Sequence, residues 1–226
     1  MKTTAMLLLS SLSLLAGQAP TTDQIVAQMM EHDQARQSSV GTYSWTTHYA
    51  LDNKDRHAEM VVRWTRQSDG TKRYEIVSER GDGAVRDHVL HKLLESEVEA
   101  SQPAYQNRNR LNTANYSFHF LGSEELNGRV AYVLEIQPKT DSKYLTKGRI
   151  WVDAVDFGVV RVEGSPAKKP SFWTNSVDFV QTSEKVGGYW MAVSNYSVTE
   201  AKLFGKADLH ITYSDYTFSQ NVLAAR

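Results

Sequence analysis

Hydrophobic and polar positions change period several times along this chain. Over residues 22–40, Ile25, Val26, Met29 and Met30 recur at helical spacing, with Thr21, Thr22 or Asp23 available as caps and Gly41 to end the element. This predicts an amphipathic helix. Alternation takes over at Tyr43, Trp45, Tyr49 and Leu51, continues through Met60, Val62 and Trp64, turns at Asp69-Gly70 and resumes at Tyr74 and Ile76, which predicts a three-stranded meander. Residues 85–100 return to spacings of three and four at Val85, Val89, Leu93, Leu94 and Val98, a second helix. Residues 101–115 are polar and aperiodic and are expected to form a long loop, either a flap or a crossing.

From residue 116 to residue 218 strand-length segments follow one another. Tyr116, Phe118 and Phe120 are answered across Asn127-Gly128 by Val130, Tyr132, Leu134 and Ile136, the pattern of a tight hairpin. Segments 144–153, 157–163, 172–184, 189–202 and 207–218 complete the series, with Gly187-Gly188 and Gly205 as turns and Gly164-Ser165-Pro166 read as the end of a strand. The expected fold is mainly β: one curved antiparallel sheet of about ten strands with one apolar face and two covering helices. No repeat, low-complexity tract or linker divides it.

The amino terminus follows another logic. Lys2, a mostly apolar stretch over 6–16 and the small residues of Gly17-Gln18-Ala19 predict an export signal over 1–19, followed by a single domain over 20–226. The apolar run, about eleven residues, falls short of the roughly twenty that span a bilayer. Leu14-Leu15-Ala16-Gly17 begins like a lipid-attachment motif, but Gln18 stands where a cysteine is required. The chain has no cysteine, which excludes disulfides and thiolate metal sites and leaves stability to the core.

Twenty-five Lys and Arg against 26 Asp and Glu give a net charge of -1, which argues against a nucleic-acid partner whose affinity rests on neutralising phosphates. Chemistry-bearing constellations are sparse. His88 and His91 share a helical face but lack a third ligand, so no metal is expected. Gly81-Asp82-Gly83 lacks the further glycine and the strand-helix setting of a phosphate loop, and no serine sits in a nucleophile elbow. Glu95, Glu97 and Glu99 are spaced by two, which sends neighbours to different faces of a helix and reads as a charged outer surface. Asn115-Tyr116-Ser117 and Asn195-Tyr196-Ser197 match glycosylation acceptors but fall in or beside strands. With no nucleophile-and-base set, hydrolase chemistry is unsupported; neither an enzyme nor a cofactor is expected.

What remains is the aromatic load: Trp45, Trp64, Trp151, Trp173 and Trp190, with eleven Tyr and seven Phe. Two helices leave part of so large a concave apolar face uncovered, as at the mouths of ligand-holding barrels. The candidate wall residues of a hydrophobic cavity are Trp45, Trp64, Tyr74, Phe118, Trp151 and Trp190. Arg108 and Arg110, in the expected loop, are candidates to meet an anionic headgroup.

Five blocks, read in order, carry a resemblance: Asn115-Tyr116-Ser117-Phe118, Gly148-Arg149-Ile150-Trp151-Val152-Asp153, Arg161-Val162-Glu163-Gly164, Ser171-Phe172-Trp173 and Gly187-Gly188-Tyr189-Trp190. Together they resemble the outer-membrane lipoprotein-sorting proteins of the LolA-like superfamily, over most of the chain after the signal. The resemblance implies an open β half-barrel whose concave face encloses helices and holds acyl chains, in a periplasmic protein that binds lipid or an acylated lipoprotein. A second reading, from the interaction class, stands beside it: an envelope sensor or assembly module that docks on an inner- or outer-membrane protein through a sheet edge or a helix.

Overall fold

A computed structural model describes residues 20–169, 174–201 and 205–219. The expected signal over 1–19 and Trp173 lie outside the described residues. Helix α1 (Thr22–Ser39) opens on a capping box: Thr21 Oγ1 accepts from the Gln24 amide, and Gln24 Oε1 accepts from the Thr21 amide at 2.9 Å. Two otherwise unpaired groups of the first turn are thereby satisfied. Its stripe of Ile25, Val26 and Met29 is buried as the periodicity predicts.

Strands β1 (Tyr43–Asn53), β2 (Arg56–Arg66) and β3 (Lys72–Gly81) form the meander. Helix α2 (Gly83–Val85) runs through a π-helical turn (Arg86–Leu90) into α3 (His91–Ser101). The segment expected as a loop contains a further helix, α4 (Pro103–Asn109). Pro103 supplies the reason: at a first helical turn its fixed φ is already correct and its missing N–H costs nothing. Gln106 Nε2 then ties α4 to the β2–β3 turn through the Asp69 carbonyl at 2.9 Å.

The remaining strands are β4 (Tyr116–Leu126), β5 (Arg129–Pro138), β6 (Thr146–Asp153), β7 (Val159–Pro166), β8 (Thr174–Val186), β9 (Tyr189–Ala201) and β10 (Gly205–Phe218). Strand β7 continues through Gly164 and Ser165 to Pro166, where a strand-ending turn was expected. All ten strands belong to one antiparallel sheet in the order β3-β2-β1-β10-β9-β8-β7-β6-β5-β4. It is an open half-barrel. The ends, β3 and β4, are consecutive in the chain but lie at opposite edges, and the α2–α4 segment links them.

Two separate cores fill the concave side. In one, α1 packs Ile25, Val26 and Met29 on Tyr116, Leu134, Ile136, Ile150 and Val152 of β4–β6. In the other, Leu90 and Leu94 cover Tyr49, Met60, Val62 and Trp64 of β1 and β2.

Gly148 shows why one block is so composed. It pairs with Gly164 across β6 and β7, its φ is +149°, and a Cβ there would sit 2.1 Å from the Glu163 carbonyl oxygen. Gly148→Ala therefore combines backbone strain with a steric clash and is expected to cost about 2 kcal/mol or more. At this chain length that lowers Tm by roughly 4–8 °C, measured by thermal circular dichroism.

Candidate functional site

Between the two cores the concave face is left uncovered, and there β8 contributes the polar side chains of Gln181 and Ser183. The result is a cavity of about 440 Å³ at the end of the half-barrel where β1 begins, roofed by the second half of α1 and reached by Arg110 from beyond α4.

One wall is aromatic. Trp45 and Tyr216 line the cavity with parallel rings, centroids 6.2 Å apart, and Trp64 stacks behind Trp45 at 6.0 Å and 9°. Tyr43 and Tyr213 extend this wall. Burial pushes the Tyr213 hydroxyl well above its ordinary pKa, helped by the negative charge of Glu97. Tyr216 Oη donates to the Ala192 carbonyl at 2.6 Å, which fixes the ring.

Trp190 forms the lip. Its Nε1 donates to Asp156 Oδ1 at 2.8 Å, and the Arg129 guanidinium and Lys185 ammonium lie 5.7 and 5.6 Å from its ring. Gly158 is its floor: a Cβ there would meet Trp190 Cδ1 at 2.0 Å. Behind the lip, Asp153 is 1% exposed and receives Arg129 bidentately at 2.6 and 2.7 Å, with the Val155 and Asp156 amides at 3.0 and 3.1 Å. Burial disfavours that carboxylate, but the guanidinium and the two amides outweigh it and hold the pKa at about 2.

The facing wall is charged. Asp33 of α1 accepts from Arg36 at 2.9 Å, Gln37 at 2.6 Å and Arg110 at 3.4 Å. Lys72 and Glu97 form an ion pair that also lines the cavity, and the Lys72 ammonium lies 5.8 Å from the Trp45 ring centroid. The two side chains keep 27% and 45% of their surface. Attraction to Lys72 lowers the Glu97 pKa against the penalty of burial; for Lys72 burial opposes the charge, yet Glu97 raises its pKa.

Of the wall candidates, the structure brings Trp45 and Trp190 into the lining, with Arg110 of the headgroup candidates. Trp64 is 1% exposed in the layer behind, and Tyr74 packs on Trp64 at the β3 edge. Phe118 packs against the α1 core, and Arg108 is exposed on α4. Trp151 lies on the opposite face of the sheet. Ile150 and Val152 point to α1, so by alternation Trp151 points away and clusters with Ala131 and Val133, donating to Glu124 at 2.8 Å. Sequence reasoning missed Asp33, Arg36, Lys72 and Glu97. The polar second half of α1 was a signal for the first two; nothing local marks Lys72 and Glu97, whose meeting depends on how α3 crosses the sheet. Among the described residues no group of three or more His, Asp and Glu side chains has metal-binding geometry.

No protein-family model matches the sequence, and comparison with curated proteins gives no match. Solved structures do match. A Vibrio parahaemolyticus domain assigned to outer-membrane lipoprotein sorting superposes with a TM-score of 0.50 at 16% identity, covering 88% of this chain and 93% of that one. The chain has the LolA-like fold. A LolA superfamily protein from Nitrosomonas europaea is also similar, with a TM-score of 0.49 at 12% identity over 89% of this chain and 95% of that one. The helices of this LolA-like half-barrel leave the cavity between them. None of them, among the described residues, is long and apolar enough to cross a membrane.

Two outcomes follow from the lip. Gly158→Ala displaces the Trp190 ring; it is expected to cost about 1–3 kcal/mol and to shift the tryptophan emission maximum of the folded protein. Because the Asp153 pKa is depressed, its contribution to stability is complete above the ordinary carboxylate value and is lost as pH falls from about 4 to about 2. Asp153→Asn should remove about 2 kcal/mol at pH 7 and flatten the urea midpoint against pH across that window.

Proposed function

We propose that this protein is a periplasmic carrier that binds a lipid or lipoprotein and shields its acyl chain in the cavity. The observation that carries this reading is the unfilled space between two well-packed cores, walled on one side by Tyr43, Trp45, Tyr213 and Tyr216. Its volume, about 440 Å³, lies within the roughly 300–1,000 Å³ of ligand pockets. Each methylene taken from water contributes about 0.8 kcal/mol, so a chain of a dozen carbons gains on the order of 10 kcal/mol before the costs of association. The likeness to a lipoprotein-sorting domain supports the same reading at the level of fold.

A second reading has its own observation. Strand β3 ends the sheet among the described residues, and Ile76 and Val77 on it are exposed, which suits a sensor or assembly module that docks a membrane-protein partner there. Organic extraction of protein purified from the periplasm separates the two. The carrier yields lipid or acylated peptide, with occupancy per folded molecule reduced several-fold by Trp190→Ala. Trp151→Ala, on the other face, lowers stability by about 3 kcal/mol and leaves occupancy unchanged. A protein that is lipid-free in every preparation and takes up none from vesicles overturns the carrier.

A further inference from the structure

The charges lining the cavity do not cancel. Arg36, Lys72 and Arg110 face Asp33 and Glu97, three cations against two carboxylates. Lys72 and Glu97 satisfy each other. Arg36 and Arg110 therefore share one carboxylate, Asp33, which also accepts from Gln37. Two guanidiniums present about ten N–H donors between them, yet among the described residues their side-chain hydrogen bonds are one each to Asp33. Donors and one positive charge are left over at the cavity wall opposite Trp45 and Tyr216.

A neutral chain entering this space would strip water from those donors and return nothing, a penalty that grows as the cavity dries. An anion with two or three oxygens in one plane matches the guanidinium fork and restores the charge balance. Resting on the carrier reading, we propose that the ligand is a single-chain anionic amphiphile: its phosphate or carboxylate binds between Arg36 and Arg110, and its chain lies along Trp45 and Tyr216. The cavity volume, at the low end for ligand pockets, suits one chain. Asp33 acts as a resident competitor that neutralises part of the site when it is empty.

Tryptophan fluorescence titrations at fixed salt with dodecyl phosphate, dodecanoate and dodecanol test this. Both anions are expected to bind about tenfold or more tighter than the alcohol of equal chain length, and the stronger of the two identifies the head. Arg36→Gln and Arg110→Gln each weaken the anions by about fivefold or more and leave dodecanol unchanged. Asp33→Asn moves the other way and tightens the anions, a gain that a merely structural carboxylate would not give. Equal affinity of anions and alcohol, unaffected by the arginine variants, overturns the headgroup assignment while the carrier stands. Failure of all three probes to bind, with the protein folded by circular dichroism, overturns both.

Discussion

The structure depends on a sheet whose edges do not meet. A closed barrel pairs every strand and fills its interior with side chains; here β3 and β4 end the sheet on opposite sides, and the concave face needs another cover. It receives two, from different parts of the chain. Helix α1 arrives before the first strand and packs on β4–β6, whereas the segment that must travel from β3 to β4 supplies α2 and α3 for β1 and β2. Each cover builds its own core, and the interval between them is lined on β8 by Gln181 and Ser183. The cavity is thus a consequence of topology, with Gln181 and Ser183 among the residues that line it.

That origin explains why the site is not uniformly apolar. Its roof is the half of α1 that has run past its own core, so His32, Asp33, Arg36 and Gln37 look into it, and its far end is where Lys72 enters β3 under Glu97. Ion pairs in such a place are costly to desolvate and contribute little net stability. A protein that only needed a hydrophobic container would be at least as stable with apolar residues there. On the carrier reading, the pairs therefore bear more on what the cavity would admit than on what holds the fold.

The sheet was legible because alternation with sharp turn signals is a local property: Asn127-Gly128 sets the β4–β5 register, and Gly187-Gly188 sets β8–β9. Helix α4 escaped because it is short and its polar residues give no period, although Pro103 marked its start. The aromatic candidates divide for a physical reason. Where a strand is apolar at three successive positions, as at Ile150, Trp151 and Val152, the sequence cannot say which side faces the helix, and Trp151 fell on the outer side. Trp45 and Trp64 share a face, but one lines the cavity and the other backs it, a difference of depth that no periodicity encodes. The charged wall was out of reach for the same kind of reason: Asp33 and Arg110 are 77 residues apart and meet through packing alone.

The free edges weigh on the choice between container and docking module. Exposed strand edges invite pairing, and folded proteins discourage it with bulges and charges. Both edges here carry these devices. The β2–β3 register slips between Val61 and Val62, leaving Val77 as the extra residue, and the β4–β5 register slips between Phe120 and Gly122, leaving Leu121. These bulged residues are among the exposed large hydrophobics of the molecule, 54% and 50% accessible, so their exposure is a product of the bulge and needs no partner to explain it. Lys72, Arg73, Glu75, Glu79 and Arg80 along β3, and Glu124 and Glu125 on β4, add charge to each edge. Edges so interrupted are poor templates for an added strand. The surface that is continuous, aromatic and unfilled lies inside the half-barrel, and there the physical case for binding is strongest.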